Sequence, residues 1–552
     1  MQRDQDTTIE SERAAINSEI DKYLTAAQIL RQQLYRFEPI SSLPPEILAN
    51  IFSFVRDVSP HPLHWIEVTH VQPTGGPRAG LVVPPAACEP TLDGRDAGKG
   101  YEEAFQHAAR IRHISFDFSK STEEWQSRVV GNLPMSAPHL ETLSIKIGLW
   151  RRDIWIPGNA LVDAPNLRRL ELMKCGPNWD AHWLPQITHL EICQIVKPEQ
   201  LTWACLMTAL RKMKNLESLI LFLSFPSNTV TSDGLDQAPL MNINMVQLRV
   251  LYVWDKFLAV EFFFRYVTFP PETAVHVTLS FGSEFPMDPE ANGVRFVGTL
   301  KNMAKSYSNA ASSNIVFKNL VVDYPQGAEP RLCVGMFDGI FEESADKFGE
   351  RIHFYSTLRS IRRGLSLVVE TSMNCTSPAW FNTLFRGIFS AGFRLDDITH
   401  AHLRSAISLE DILQNPQLLP ETVGLLPSLS FIKVSKLAGP WILRAAMCHA
   451  SEDMGKSTMS LSPFPHLESI HFHDVPFLPN DTTWKDKYPW KALGVVDRDL
   501  LQQFLVKRCD TVRRCQLERC FNLTEEDVDE LCEVVGDVVC WDGVELEESF
   551  EF

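Results

Sequence analysis

From about residue 137 onward, one short arrangement of apolar and polar positions recurs in the same phase. An apolar residue is followed by two variable positions, an apolar one, a variable one and another apolar one. It occurs as Pro138-His139-Leu140-Glu141-Thr142-Leu143-Ser144-Ile145 and again as Pro165-Asn166-Leu167-Arg168-Arg169-Leu170-Glu171-Leu172. Further copies begin at Pro185 and Asn215, at Gln247 and Pro427, and at Pro465 and Thr511. Alternation with a period of two predicts a short strand in each copy, with Leu143 and Ile145 and their equivalents on one face. The first-leucine positions 140, 167, 187, 216 and 248 lie 27, 20, 29 and 32 residues apart. Between about 257 and 425 the phrase is hard to see, although Val275–Leu279 and Gly364–Val369 still read as strands. One distorted array and an inserted globular domain both fit that stretch.

Upstream the pattern is helical. Ile16, Ile20, Tyr23, Ala27, Leu30 and Leu34 form a heptad seam within a helix over about 9–36, for packing or for dimerisation. Ile47, Leu48, Ile51, Phe52 and Val55 then share one helical face. Pro44 and Pro45 suit the first turn of that helix, where their missing amide hydrogens would have no partner. Glu46 suits the positive end of its dipole.

The wording Leu43-Pro44-Pro45-Glu46-Ile47 with Ile51-Phe52, extended by Pro39-Ile40 and by Pro62–Val71, resembles the F-box of fungal-type F-box proteins. The resemblance implies that Leu43, Pro44, Pro45, Ile47, Leu48, Ile51, Phe52 and Val55 dock on an Skp-type adaptor. After Val71 the likeness stops. The stretch 72–104 is rich in Gly and Pro and cannot form the third F-box helix. It is either a linker or an anomalous segment. The recurring phrase resembles the leucine-rich repeat. The expected fold class is therefore α/β: a helix over 1–38, F-box helices over 39–71, then an irregular leucine-rich-repeat-like solenoid over 105–552.

Composition narrows the function. The apolar fraction of 45% over 552 residues is ample for a core, and the net charge of −17 argues against binding nucleic-acid phosphate or an anionic membrane. No run approaches the ~20 apolar residues of a spanning helix, and the start of the chain has no apolar signal core. Twelve cysteines with no Cys-x-x-Cys pair favour reduced thiols in the cytoplasm or nucleus. From Glu525 onward there are many carboxylates and no Lys or Arg. That end is a solvated acidic face or a contact for a basic partner.

Catalytic motifs are not found. Gly94–Gly100 misses the phosphate-loop spacing, and Gly100 replaces the Ser/Thr that would hold magnesium. His471 and His473 share a strand face, with Cys509, Cys515 and Cys520 near in sequence. Their spacings match no familiar zinc site. No metal, cofactor or catalytic residue is expected. The outward repeat positions are the candidate partner-binding face, above all Arg169, Glu171, His189, Glu191, Tyr252 and Trp254. Mixed charge beside aromatics suits a protein hot spot. The family resemblance implies a non-enzymatic substrate receptor of an Skp–cullin–F-box ubiquitin ligase. It would hold an unidentified target protein on the solenoid and reach a cullin scaffold through the adaptor. The alternative is a leucine-rich-repeat scaffold with a remnant F-box that no longer couples. Oligomeric state and target are left open.

Overall fold

The computed structural model describes residues 79–83, 105, 108–118, 123–148, 154–195, 201–226, 242–281, 289–308, 317–324, 331–338, 366–373, 378–405, 417–447, 463–478 and 495–546. The expected N-terminal helix and the F-box-like segment lie outside the described residues. What is described is mixed α/β, with a large, mostly parallel sheet. The chain divides into two compact units, one ending at Ile187 and the other beginning at Thr188.

The first unit contains β1 (Ala79–Val83), β2 (Ile111–Phe118), helix α1 (Glu123–Gly131), β3 (Thr142–Ile147), β4 (Ile154–Trp155), β5 (Arg169–Met173) and β6 (Cys175–Gly176). Strands β1, β2, β3 and β5 lie side by side and parallel, and β4 pairs with β6. Strand β1 falls within the Gly/Pro-rich stretch. Leu143 pairs with Leu170 and Ile145 with Leu172, and all four are at most 1% exposed.

The second unit opens with β7 (His189–Cys193), α2 (Trp203–Lys212), β8 (Ser218–Phe222), β9 (Ile243–Asn244) and β10 (Val250–Lys256). Then come α3 (Phe257–Tyr266), β11 (Val267–Thr268), β12 (Ala274–Phe281) and α4 (Pro289–Ser308). Next are β13 (Asn319–Tyr324), β14 (Arg331–Phe337), β15 (Ser366–Met373), α5 (Pro378–Ser390) and β16 (His400–Ser405). The unit closes with β17 (Phe431–Lys436), α6 (Gly439–Met447), β18 (Ser469–His473), α7 (Arg498–Lys507), β19 (Arg514–Glu518), α8 (Glu525–Val535) and β20 (Val539–Trp541).

In the second unit the strands follow chain order except in the middle, where the order is β12-β15-β14-β13-β16. Strand β14 runs antiparallel to both β13 and β15, while β12–β15 and β13–β16 are parallel. The chain thus enters this region at the far side, doubles back through β14, and crosses again to β16. The strands of the stretch where the phrase is faint join the same sheet as the clear copies.

The recurring phrase has a physical grammar. Each clear copy but the last begins with a turn in which the amide of its first apolar residue donates to the carbonyl three residues earlier. Examples are Leu140 to Ala137 (3.0 Å), Leu167 to Ala164 (3.2 Å), Leu429 to Leu426 (3.4 Å) and Leu467 to Phe464 (3.3 Å). Pro138, Pro165, Pro427 and Pro465 occupy the second position of these turns, where a fixed φ is favourable and no amide is needed. One carbonyl before the strand then accepts two amides from the next copy: Glu217 O from Arg249 and Val250 (2.8 and 3.0 Å), Ser430 O from Glu468 and Ser469 (2.8 and 3.0 Å). The same two-amide carbonyl, at Lys318 and Thr399, and at Ile398 the same turn (to Leu395 O, 3.1 Å), identify two copies missed in sequence. They are Phe317-x-x-Leu320-x-Val322 and Ile398-x-x-Ala401-x-Leu403, whose spaced residues are buried.

Six of the clear strands end in, or are followed by, a residue of left-handed backbone, two positions after the last inward side chain. Lys174, Gln194, Leu223, Lys436, Asp474 and Arg519 all have φ between 46° and 59°. None is glycine, although each non-glycine residue in this region carries strain. The recurrence shows that the array imposes the bend.

Helices fill the connections. Thr202 caps α2 by accepting from the amide of Cys205 (3.1 Å), and a reciprocal Thr524–Asp527 capping box opens α8. The acidic residues Glu525, Glu526 and Asp527 therefore sit in the first turn of α8, where the helix dipole favours them. The apolar run from Phe257 becomes α3. Its buried Glu261 accepts from Arg265 (2.9 Å) and from Nη2 of Arg295 on α4 (2.7 Å). Among the described residues no helix is long and apolar enough to cross a membrane.

Candidate functional site

The outward positions of the second unit align in rows because the strands pair without slippage. On the β8–β12 side, Ile220, Tyr252 and His276 stand opposite one another. Tyr252 is 1% exposed and packs edge-on against His276, with ring centroids 4.8 Å apart. Trp254 is partly exposed and meets Phe222 at 4.4 Å in a T-shaped pair. Tyr252 is thus a packing residue, whereas Trp254 keeps surface for contact.

Of the other sequence-selected positions, Arg169 and Glu171 belong to the first unit. They are paired with each other, Nε to Oε1 at 2.6 Å. His189 and Glu191 lie on β7 and are partly exposed. Nδ1 of His189 is 2.8 Å from the Thr188 hydroxyl, and Glu191 accepts a 3.7 Å bond from the Cys193 thiol. Within the second unit, Glu191 and Tyr252 stand in one row through Ile220 of β8. The adaptor-docking residues Leu43 to Val55 lie outside the described residues.

A denser polar group lies on β16–β19. His402, Lys433, His471 and Gln516 form one row by register, and Arg404, Ser435, His473 and Glu518 form the next. Nε2 of His402 is 2.9 Å from the Ser435 hydroxyl, with both residues buried. Nε2 of His471 is 2.8 Å from Oε2 of Glu518, at ion-pair distance but out of line for a hydrogen bond. His473 reaches Asp474 (3.3 Å), and Asp474 also pairs with Arg519 (3.2 Å). Sequence reasoning found His471 and His473 but not His402, because the copy that carries it was missed. The repeated His-x-His wording, His400/His402 and His471/His473, was the available signal.

Electrostatics fix the protonation states. Burial, reinforced by the charges of Lys433 and Arg404, pushes the His402 imidazole down to about 3. Burial and Lys433 push His471 down to about 4 against the opposing pull of Glu518. Both rings are neutral at pH 7. Burial would raise the Asp474 carboxyl, yet His473 and Arg519 hold it below the usual carboxylate range.

The His402–Ser435 pair has the spacing of a nucleophile and its base. A ring that protonates only near pH 3 is a poor base at neutrality, so the pair is structural. Burial also drives the Cys515 thiol far up and pushes Cys520 up to about 12, so neither is a nucleophile at pH 7. Among the described residues no group of three or more His, Cys, Asp or Glu side chains could hold a metal ion. What the face offers is hydrogen-bond donors and two cations on a rigid sheet, which is the chemistry of recognition. No protein-family model matches the chain, and no curated protein matches it either.

Proposed function

We propose that this protein is the substrate-recognition subunit of an Skp–cullin–F-box ubiquitin ligase. The observation that carries the reading is the F-box-like wording of Pro39–Val71, ahead of a sheet built from a recurring strand phrase in the same chain. The F-box would dock an Skp-type adaptor through Leu43, Pro44, Ile47, Leu48, Ile51 and Phe52, with Pro45 and Val55 completing the helix. The remainder would be an irregular leucine-rich-repeat-like solenoid, whose outward rows hold a target protein near the ubiquitin-loaded enzyme. Catalysis would come from proximity and not from side-chain chemistry.

Full burial of an aliphatic side chain contributes about 1.5–3 kcal/mol. Three or four such side chains support sub-micromolar adaptor binding after the cost of association. Replacing Leu43 and Ile47 together by Asp should abolish adaptor binding while far-UV circular dichroism stays unchanged. Undiminished adaptor binding in that variant would refute the assignment. One observation favours a second reading, a protein-binding scaffold with a remnant F-box. The Gly/Pro-rich stretch from Gln72 to Gly100 interrupts the third F-box helix.

A further inference from the structure

Among the described residues, two cations on the outward face of β16 and β17 have no anionic partner. Lys433 lies opposite both His402 and His471 in register, and Arg404 is two residues beyond His402 on the same strand. Both are partly exposed. Neither makes an ion pair or hydrogen bond among the described residues. Their charges disfavour protonation of the neighbouring imidazoles of His402 and His471. Arg112, Arg265, Arg295, Arg386, Arg394 and Arg519 are all paired.

The surrounding groups set the charge of the ligand that fits. His402 and His471 are neutral at pH 7, Asp474 and Arg519 cancel, and Glu518 sits against His471. His473 lies between Asp474 and Glu518. Arg404 and Lys433, with Lys436 nearby on β17, outweigh Glu518, so the face is net positive. Arg404 and Lys433, on neighbouring strands, each match one singly charged carboxylate of a peptide, with Glu518 held beside His471 and His473. The Gln516 side chain, partly exposed in the same row, adds an amide donor beside it.

We propose that the β16–β19 face binds an acidic peptide segment of a partner protein, with Arg404 and Lys433 receiving its carboxylates. This deepens the reading of the outward face as the target-binding face and does not depend on the adaptor. The rigid sheet holds both cations without an internal anion to displace, so a carboxylate gains charge-assisted bonds at little reorganisation cost.

The test uses the full chain and fluorescein-labelled hexaglutamate, hexaglutamine and a phosphoserine hexapeptide, followed by fluorescence anisotropy. Hexaglutamate should bind, weaken at least tenfold between 50 and 500 mM KCl, and weaken tenfold or more in Lys433→Met and in Arg404→Gln. Lys301→Ala, remote on α4, should bind like the parent chain. Equal binding of hexaglutamate and hexaglutamine would overturn the proposal, as would unchanged affinity in both site variants. Tighter binding of the phosphoserine peptide would overturn the assignment of carboxylate. Melting curves guard against a variant that fails to fold, and Lys433→Arg should restore binding. Adaptor co-purification on the same preparations separates the two ideas. A chain that binds adaptor but not hexaglutamate refutes this inference alone, and the converse refutes the ligase reading alone.

Discussion

Arg508 is the side chain whose removal should damage the β17–β19 region most. It is 9% exposed and follows α7 directly. One guanidinium nitrogen, Nη2, donates to Ala446 O at 3.0 Å, in the last turn of α6, and to Pro463 O at 2.6 Å, at the turn that opens the β18 copy. Its own carbonyl accepts from Thr511 and Val512 at 2.9 and 2.8 Å. A hydrogen bond to a charged donor contributes about 1.5–3 kcal/mol, and an orphaned buried carbonyl costs about 1–3 kcal/mol more. Because both bonds come from one nitrogen they are not independent, and Arg508→Met should destabilise by about 3–4 kcal/mol. Methionine keeps the apolar stem filled, so the loss reports the bonds and not a cavity. Urea denaturation by tryptophan fluorescence should show an earlier transition for the Met variant and a smaller shift for Arg508→Lys, which keeps the charge but not the fork. A change below about 0.5 kcal/mol for Arg508→Met would refute the reasoning, since exposed pairs commonly contribute that little.

Other expectations follow from strain, charge and burial. Leu223 is 39% exposed with φ 46°, so Leu223→Gly should raise stability by about 0.5–1 kcal/mol in thermal melts, whereas a lower melting temperature would show that its side-chain contacts outweigh the strain. Asp255 is buried, and burial raises its carboxyl to about 6 against three backbone donors, Ser224 (2.9 Å), Phe225 (2.9 Å) and Lys256 (2.7 Å). A folded pKa above the unfolded value of 3.8 means stability is greatest below about 4 and falls by about 3 kcal/mol as pH rises to about 6. Urea midpoints across that window should lose this component in Asp255→Asn, and an identical profile would contradict the shift. Replacing Glu261 by Gln leaves Arg295 and Arg265 half-exposed and able to turn to water, so the loss should stay near 1–2 kcal/mol. A double-mutant cycle with Arg295→Met measures how much of it belongs to that pair.

The local part of this architecture was legible in the sequence. Proline, one position and a leucine specify a turn and a strand within eight residues, and Leu143, Leu170, Leu219, Leu251, Ile432 and Ile470 are all buried as the alternation requires. What was not legible is non-local. The copy at Ile398 has Ala401 at its second apolar position and Asp396 in place of the proline, so its pattern falls below notice. The reversal through β14 depends on which strands pair across gaps of tens of residues, and alternation carries no information about direction. The left-handed residues after the strands could not be read, because Lys, Gln, Leu, Asp and Arg share no propensity for that backbone. At the candidate face, the row of Lys433 and His471 follows from two visible copies. Its extension to His402 and Arg404 needed the register.

Co-expression of the full chain with an Skp-type adaptor, followed by size-exclusion chromatography, tests the central claim most directly. The account predicts a one-to-one complex that survives the column in the parent chain and is lost in Leu43→Asp/Ile47→Asp. A well-folded chain that elutes without adaptor would contradict it.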